Sequence, residues 1–97
     1  MPKTFFDWDE AKNRSNLKKH RVSFEDAIGV FLDPLNVTDL ERIVDGEERW
    51  QTFGLVDGEL LMVAHANYDE DYTEIVRIIS ARLATRAERK QYEEQHG

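Results

Sequence analysis

The stretch SARLATRAERKQYEE, residues 80–94, holds four cations whose types and spacing suit an anion site. Arg82 ends a β-type run, and Arg86, Arg89 and Lys90 follow at i, i+3 and i+4 of a helical pattern, so those three share one helix face. Converging guanidinium groups hold phosphate through charge-assisted, often bidentate hydrogen bonds. The same residues equally suit a solvated face laced by ion pairs to Glu93 and Glu94, and spacing alone leaves both readings open.

Proton transfer needs a different kind of group, and imidazole titrates in the useful range. His65 lies in the apolar run LLMVAHAN, where it reads either as an acid–base group or as a satisfied core histidine. His20 follows Lys18 and Lys19 at the close of a polar helical segment, where helix-end carbonyls favour a cation as readily as a ligand would. Arg49 and Trp50 open one β-type run and Arg77 lies inside another; Trp50 reads as core before it reads as a base-stacking platform. Asn67, Asp69, Asp71 and Thr73 imitate the alternating ligands of a calcium loop. Tyr72 stands where that loop needs glycine and Ile78 where it needs a bidentate Glu, so no metal is expected. Cysteine is absent, as are a Gly-rich phosphate loop, paired-histidine zinc spacing and a G-x-S-x-G turn, and no cofactor is expected.

These side chains must be positioned by elements whose periods are legible. A brief strand is expected at about residues 4–7, then a polar helix capped by Asp9 and running to His20. Ser23 caps a second, amphipathic helix in which Phe24, Ala27, Ile28, Phe31 and Leu32 share a face, stopped by Asp33-Pro34. Four β-type runs follow: NVTDLERIV, RWQTFGLV, ELLMVAHANY and EIVRIISAR. Asp57-Gly58 forms a two-residue hairpin turn and DEDYT the next loop, giving an antiparallel meander. In the last run, plain alternation puts Ile75, Arg77, Ile79 and Ala81 on one side and Val76, Ile78, Ser80 and Arg82 on the other. Thr85 and Glu88 form a T-x-x-E capping box that starts a final helix ending near Gln95. The expected class is α+β in one domain spanning 1–97: two N-terminal helices, a four-stranded antiparallel sheet with a short extra strand, and a C-terminal helix.

The charge of −7, from 20 acidic and 13 basic residues, argues against generic nucleic-acid binding. Basic residues nonetheless concentrate in Lys12 to Arg21 and Arg77 to Lys90, so a local positive field is expected. No apolar run approaches the length that spans a bilayer and no secretory core is present, and a cytoplasmic protein is expected.

The blocks FFDWDEAKNRSNLKKHRVSFEDA, GEERWQTFG and RIISARLATRAERKQYEE, in that order, resemble the BrnT family of type II toxin–antitoxin toxins. The resemblance covers nearly the whole chain and implies a fold similar to the RelE/ParE toxins. It also implies a metal-independent endoribonuclease that arrests translation, neutralised by a BrnA-type antitoxin with a ribbon-helix-helix DNA-binding domain, so that DNA is met only through the antitoxin. The family's recurring polar residues fall on Lys19, His20, Arg49, Arg82, Glu88 and Arg89; members commonly have Gly at Arg21, Pro at Glu10 and Lys at Leu83. For such cleavage Arg82 with Arg86 or Arg89 would stabilise charge, His20 or His65 would transfer protons, and Glu88 would orient an arginine or act as base. Lys19, Arg49, Arg77 and Lys90 would bind RNA. The rival function is a non-catalytic module whose arginines form salt bridges to a partner protein.

Overall fold

The computed structural model describes residues 3–96. The elements are β1 (Lys3–Asp7), α1 (Glu10–His20), α2 (Phe24–Ala27), a 3-10 helix (Ile28–Leu32), β2 (Val37–Val44), β3 (Glu47–Val56), β4 (Glu59–Glu70), β5 (Thr73–Leu83) and α3 (Arg86–His96). They form an α+β fold around one five-stranded sheet in the order β1-β5-β4-β3-β2. The sheet is mixed, not antiparallel throughout, because β1 joins β5 in parallel from Lys3 opposite Thr73 to Asp7 opposite Arg77. Local patterning marks β1 as a strand, but a partner seventy residues away leaves no mark on it.

Tight turns join β2 to β5. Asp45-Gly46, Asp57-Gly58 and Asp71-Tyr72 all hold positive φ at both positions, the conformation of two-residue hairpins whose twist matches the strands. The segment DEDYT is thus mostly strand, its turn reduced to Asp71-Tyr72. The expected amphipathic helix over Phe24–Leu32 is instead a single α-turn continued as a 3-10 helix. Its close seat on β3 requires Gly54, where an added Cβ would lie 2.7 Å from the Val30 carbonyl oxygen.

The sheet carries a core on each face. Val22, Phe24, Ala27 and Val30 pack on Leu61, Val63, Ile78 and Ala81, whereas Tyr92 of α3 packs on Phe53, Leu60, Met62 and Ala64. Asp33 ties the second face to the first: one of its carboxylate oxygens accepts from Tyr92 Oη at 2.7 Å and from Leu55 N at 2.8 Å.

Helix α1 is polar, and its buried residues are amides, not an apolar stripe. Asp9 caps it by accepting from Ala11 N and Lys12 N, and Arg21 ends it at φ 62°, a left-handed conformation that glycine adopts without cost. Asn13 Oδ1 accepts from Phe24 N at 2.8 Å, and its Nδ2 donates to Glu25 at 2.8 Å. Asn16 reaches the sheet: Nδ2 donates to Ala81 O and Val22 O at 2.8 and 2.9 Å, and Oδ1 accepts from Ala81 N at 3.1 Å. Beyond Arg77, β5 has no β1 partner, and the Asn16 carboxamide pairs with Ala81 as a neighbouring strand would. Asn16→Leu strands three buried backbone groups and is expected to lower the unfolding free energy by about 3 kcal/mol in urea titration. A loss below about 1 kcal/mol would show that α1 is held by other contacts.

Candidate functional site

The bond from Asn16 to Ala81 fixes which face of α1 meets the sheet. Lys12, Ser15, Asn16 and Lys19 stand at i, i+3, i+4 and i+7, one stripe of the helix, and with His20 they line a groove against Ile79 and Ser80 of β5. No carboxylate lines this groove, and neither Lys12 nor Lys19 has a described carboxylate within 4 Å. His20, half-buried, also lines a second cavity of about 260 Å³ with Arg21, Val22, Asp26, Asp57, Glu59 and Leu83 among its walls.

Ile79 carries a further consequence. His65 of β4 opposes Ile78 and Ala64 opposes Ser80, so Ile79 is an extra residue, a β-bulge. The bulge reverses the alternation expected from sequence. Ala81 joins Ile78 in the core beneath α1 and α2, while Arg82 moves to the opposite face with Met62. Arg77, opposite Ala66, is on that same α3 face, as is Arg49 two residues from Gln51, the partner of Ala64. Three arginines expected on different sides or on unrelated strands therefore share one face.

Each of them is paired with a carboxylate. Arg82 Nη1 and Nη2 donate to the two oxygens of Glu88 at 2.8 and 3.0 Å. Glu88 also accepts from Thr85 N at 2.8 Å while Thr85 Oγ1 accepts from Glu88 N at 3.2 Å, so the capping box and the ion pair share one carboxylate. The hydrogen bonds from Arg82 are the largest influence holding the Glu88 carboxyl below its ordinary range, and the same pair holds the Arg82 guanidinium more firmly charged. Arg77 lies 3.4 Å from Asp7. Arg49 Nε lies 2.7 Å from Glu47 Oε1, an ion pair whose N–H is not aligned as a hydrogen bond. Tyr68 Oη donates to the other Glu47 oxygen at 2.6 Å, which lowers the carboxyl and raises the phenol.

The cations of α3 are placed differently. Arg86, Arg89 and Lys90 share a wall with Ala87 and Glu93 that does not include Arg82, and all three are exposed. Neither Glu93 nor Glu94 comes within 4 Å of a described cation, so the ion-pair lacing that spacing allowed does not form. Lys12, Ser15 and Ser80 were not singled out from the sequence as site residues. The first two carry the i, i+3, i+7 spacing with Lys19, but which helix face meets the sheet is set by Asn16.

His65 is 2 % exposed, its ring edge-on to Phe31. Nδ1 lies 2.8 Å from Asn67 Oδ1, an acceptor, so Nδ1 bears the proton; Nε2 then accepts from Thr52 Oγ1 at 2.7 Å, and Thr38 donates to Thr52 at 2.8 Å. Both ring nitrogens are engaged. Burial pushes the imidazole below its ordinary value of 6.5, against the raising effect of Asn67. The unfolded chain thus takes up this proton first, and stability falls as pH drops from about 6.5 toward the lower folded value. Between pH 7 and 5 the native protein is expected to lose stability more steeply than His65→Gln in denaturant titrations at each pH; parallel profiles would contradict this.

Comparison with known proteins adds the family. No curated protein matches the chain. Residues 8–88 match the model of a family described as the ribonuclease toxin BrnT of type II toxin–antitoxin systems. That span includes α1, the groove, the bulge and the Arg82–Glu88 pair. An antitoxin partner follows from the family, and among the described residues no helix is long and apolar enough to cross a membrane. The chain belongs to the BrnT family of ribonuclease toxins of type II toxin–antitoxin systems.

Proposed function

We propose that this chain is a metal-independent endoribonuclease acting in the cytoplasm, with a fold related to the RelE/ParE toxins, and that a BrnA-type ribbon-helix-helix antitoxin neutralises it. The observation that supports the reading is the groove at the β5 edge, where Lys12, Lys19 and His20 gather without a carboxylate, on the strand that carries Arg82 two residues past Ser80. Within a chain of net charge −7, cations are gathered at the groove and on α3, where an anionic strand would be drawn.

In this reaction the 2′-oxygen of RNA attacks the adjacent phosphorus. The new oxygen–phosphorus bond forms as the phosphorus–5′-oxygen bond breaks. A base takes the 2′-hydroxyl proton, an acid returns one to the 5′-oxygen, and cations stabilise the charge developing on the phosphoryl oxygens. His20, half-buried and open to two cavities, is the proton-transfer group. Lys19 and Arg82 stabilise charge, and Glu88, kept ionised by Arg82, orients that guanidinium. Arg49 and Arg77, on the Arg82 face, and Arg86, Arg89 and Lys90 of α3 guide the strand. His65, with both nitrogens satisfied inside the sheet, supports the scaffold.

Purified protein incubated with mixed-sequence RNA in EDTA is expected to yield 2′,3′-cyclic phosphate and 5′-hydroxyl ends. Arg82→Ala and His20→Ala are each expected to slow single-turnover cleavage about 100-fold. RNA left intact at every protein concentration would sink the nuclease reading in favour of a binding module.

A further inference from the structure

The groove beside α1 extends past the residues assigned to cleavage. Lys19 and His20 occupy one end; Lys12 and Ser15 occupy the other, with Ser80 of the bulge across from the helix. Lys12 and Lys19 are seven residues apart, about 10 Å along the helix axis. That separation exceeds the width of one phosphate group, so the two ammonium groups address different phosphates of a strand. Lys12 and Ser15 are exposed, and the Ser15 hydroxyl has no described protein partner, so these donors are not committed to the fold.

Two other charged surfaces differ in this respect, and the unpaired cations of α3 share their wall with Glu93. The arginines on the α3 face of the sheet are each paired with a carboxylate, and the larger cavity beside His20 carries Asp26, Asp57 and Glu59 on its walls. The groove alone of these joins unpaired cations, a hydroxyl donor and a wall free of carboxylates.

We infer that Lys12 and Ser15, against the β5 edge at Ser80, form a subsite for a backbone phosphate of single-stranded RNA flanking the one held at Lys19 and His20. The inference rests on the nuclease reading for its choice of RNA, and it concerns binding and not the chemical step. An ammonium point charge and a hydroxyl recognise phosphate without reading bases, so this end of the groove contributes affinity without sequence preference.

The test uses the full chain and a mixed-sequence 2′-O-methyl oligoribonucleotide, which lacks the attacking hydroxyl and stays intact while binding is measured across a salt series. Lys12→Gln is expected to weaken binding about three- to tenfold and to reduce the slope of log affinity against log salt by about 0.7, the loss of one single-strand phosphate contact. Lys18→Gln removes the same charge from the same helix outside the groove and is expected to match the unsubstituted protein. With cleavable RNA, Lys12→Gln raises KM and leaves kcat unchanged. Equal affinities and slopes for Lys12→Gln and Lys18→Gln would overturn the subsite, as would no binding by the unsubstituted protein at low salt. Unsubstituted protein that binds but never cuts would overturn the nuclease reading, while the salt slopes would still decide the subsite.

Discussion

The carboxamide of Asn16 stands where a neighbouring strand would otherwise be. β1 leaves the sheet at Asp7, and from there β5 runs on with an open edge. Asn16 satisfies both backbone groups of Ala81 and the carbonyl of Val22, joining helix, connecting loop and sheet at one buried point. A polar helix without an apolar stripe has its rotation fixed by buried amides, Asn16 on the sheet and Asn13 on Phe24 and Glu25. That rotation places Lys12, Ser15 and Lys19 along the β5 edge, so the basic groove depends on a hydrogen bond and not on a hydrophobic one.

The bulge at Ile79 lies within two residues of this contact and acts across the sheet. It lets Ala81 face the core below Asn16 while the next residue, Arg82, faces α3. There Glu88 serves two structures with one carboxylate, the helix N-terminus and the arginine. Losing Glu88 would therefore free Arg82 and fray α3 together. The division of charge follows: arginines on the sheet are held by carboxylates, and cations on α1 and α3 remain unpaired. A strongly acidic chain in this way keeps a local surface on which an anion is welcome.

Much of this was legible in the residues. The Asp9, Ser23 and Thr85–Glu88 caps, the Asp57-Gly58 turn and the β periods are local signals, and they give the order of elements. What escaped is nonlocal. No spacing within Thr73–Leu83 reveals that Ile79 is unopposed, because a bulge is a property of two strands; simple alternation therefore put Arg82 on the wrong side. The helix expected over Phe24–Leu32 tightens to a 3-10 form where Val30 meets Gly54, a contact made by β3. The T-x-x-E box announced Glu88 as a cap and was silent about Arg82. Of the site cations, charge and spacing mark Arg82, Arg86, Arg89 and Lys90, the family resemblance marks Lys19 and Arg49, and nothing marks Lys12; which of them remain unpaired is decided by packing.

The central claim is that a single-stranded RNA lies along the α1 groove and the β5 bulge. Backbone amide NMR during titration with an intact 2′-O-methyl oligoribonucleotide tests it most directly. The account predicts shifts concentrated in Lys12 to His20 and Ile79 to Arg82, with the acidic β2–β3 turn at Asp45-Gly46 unmoved. Shifts confined to β2, or to α3 with the groove silent, would contradict it.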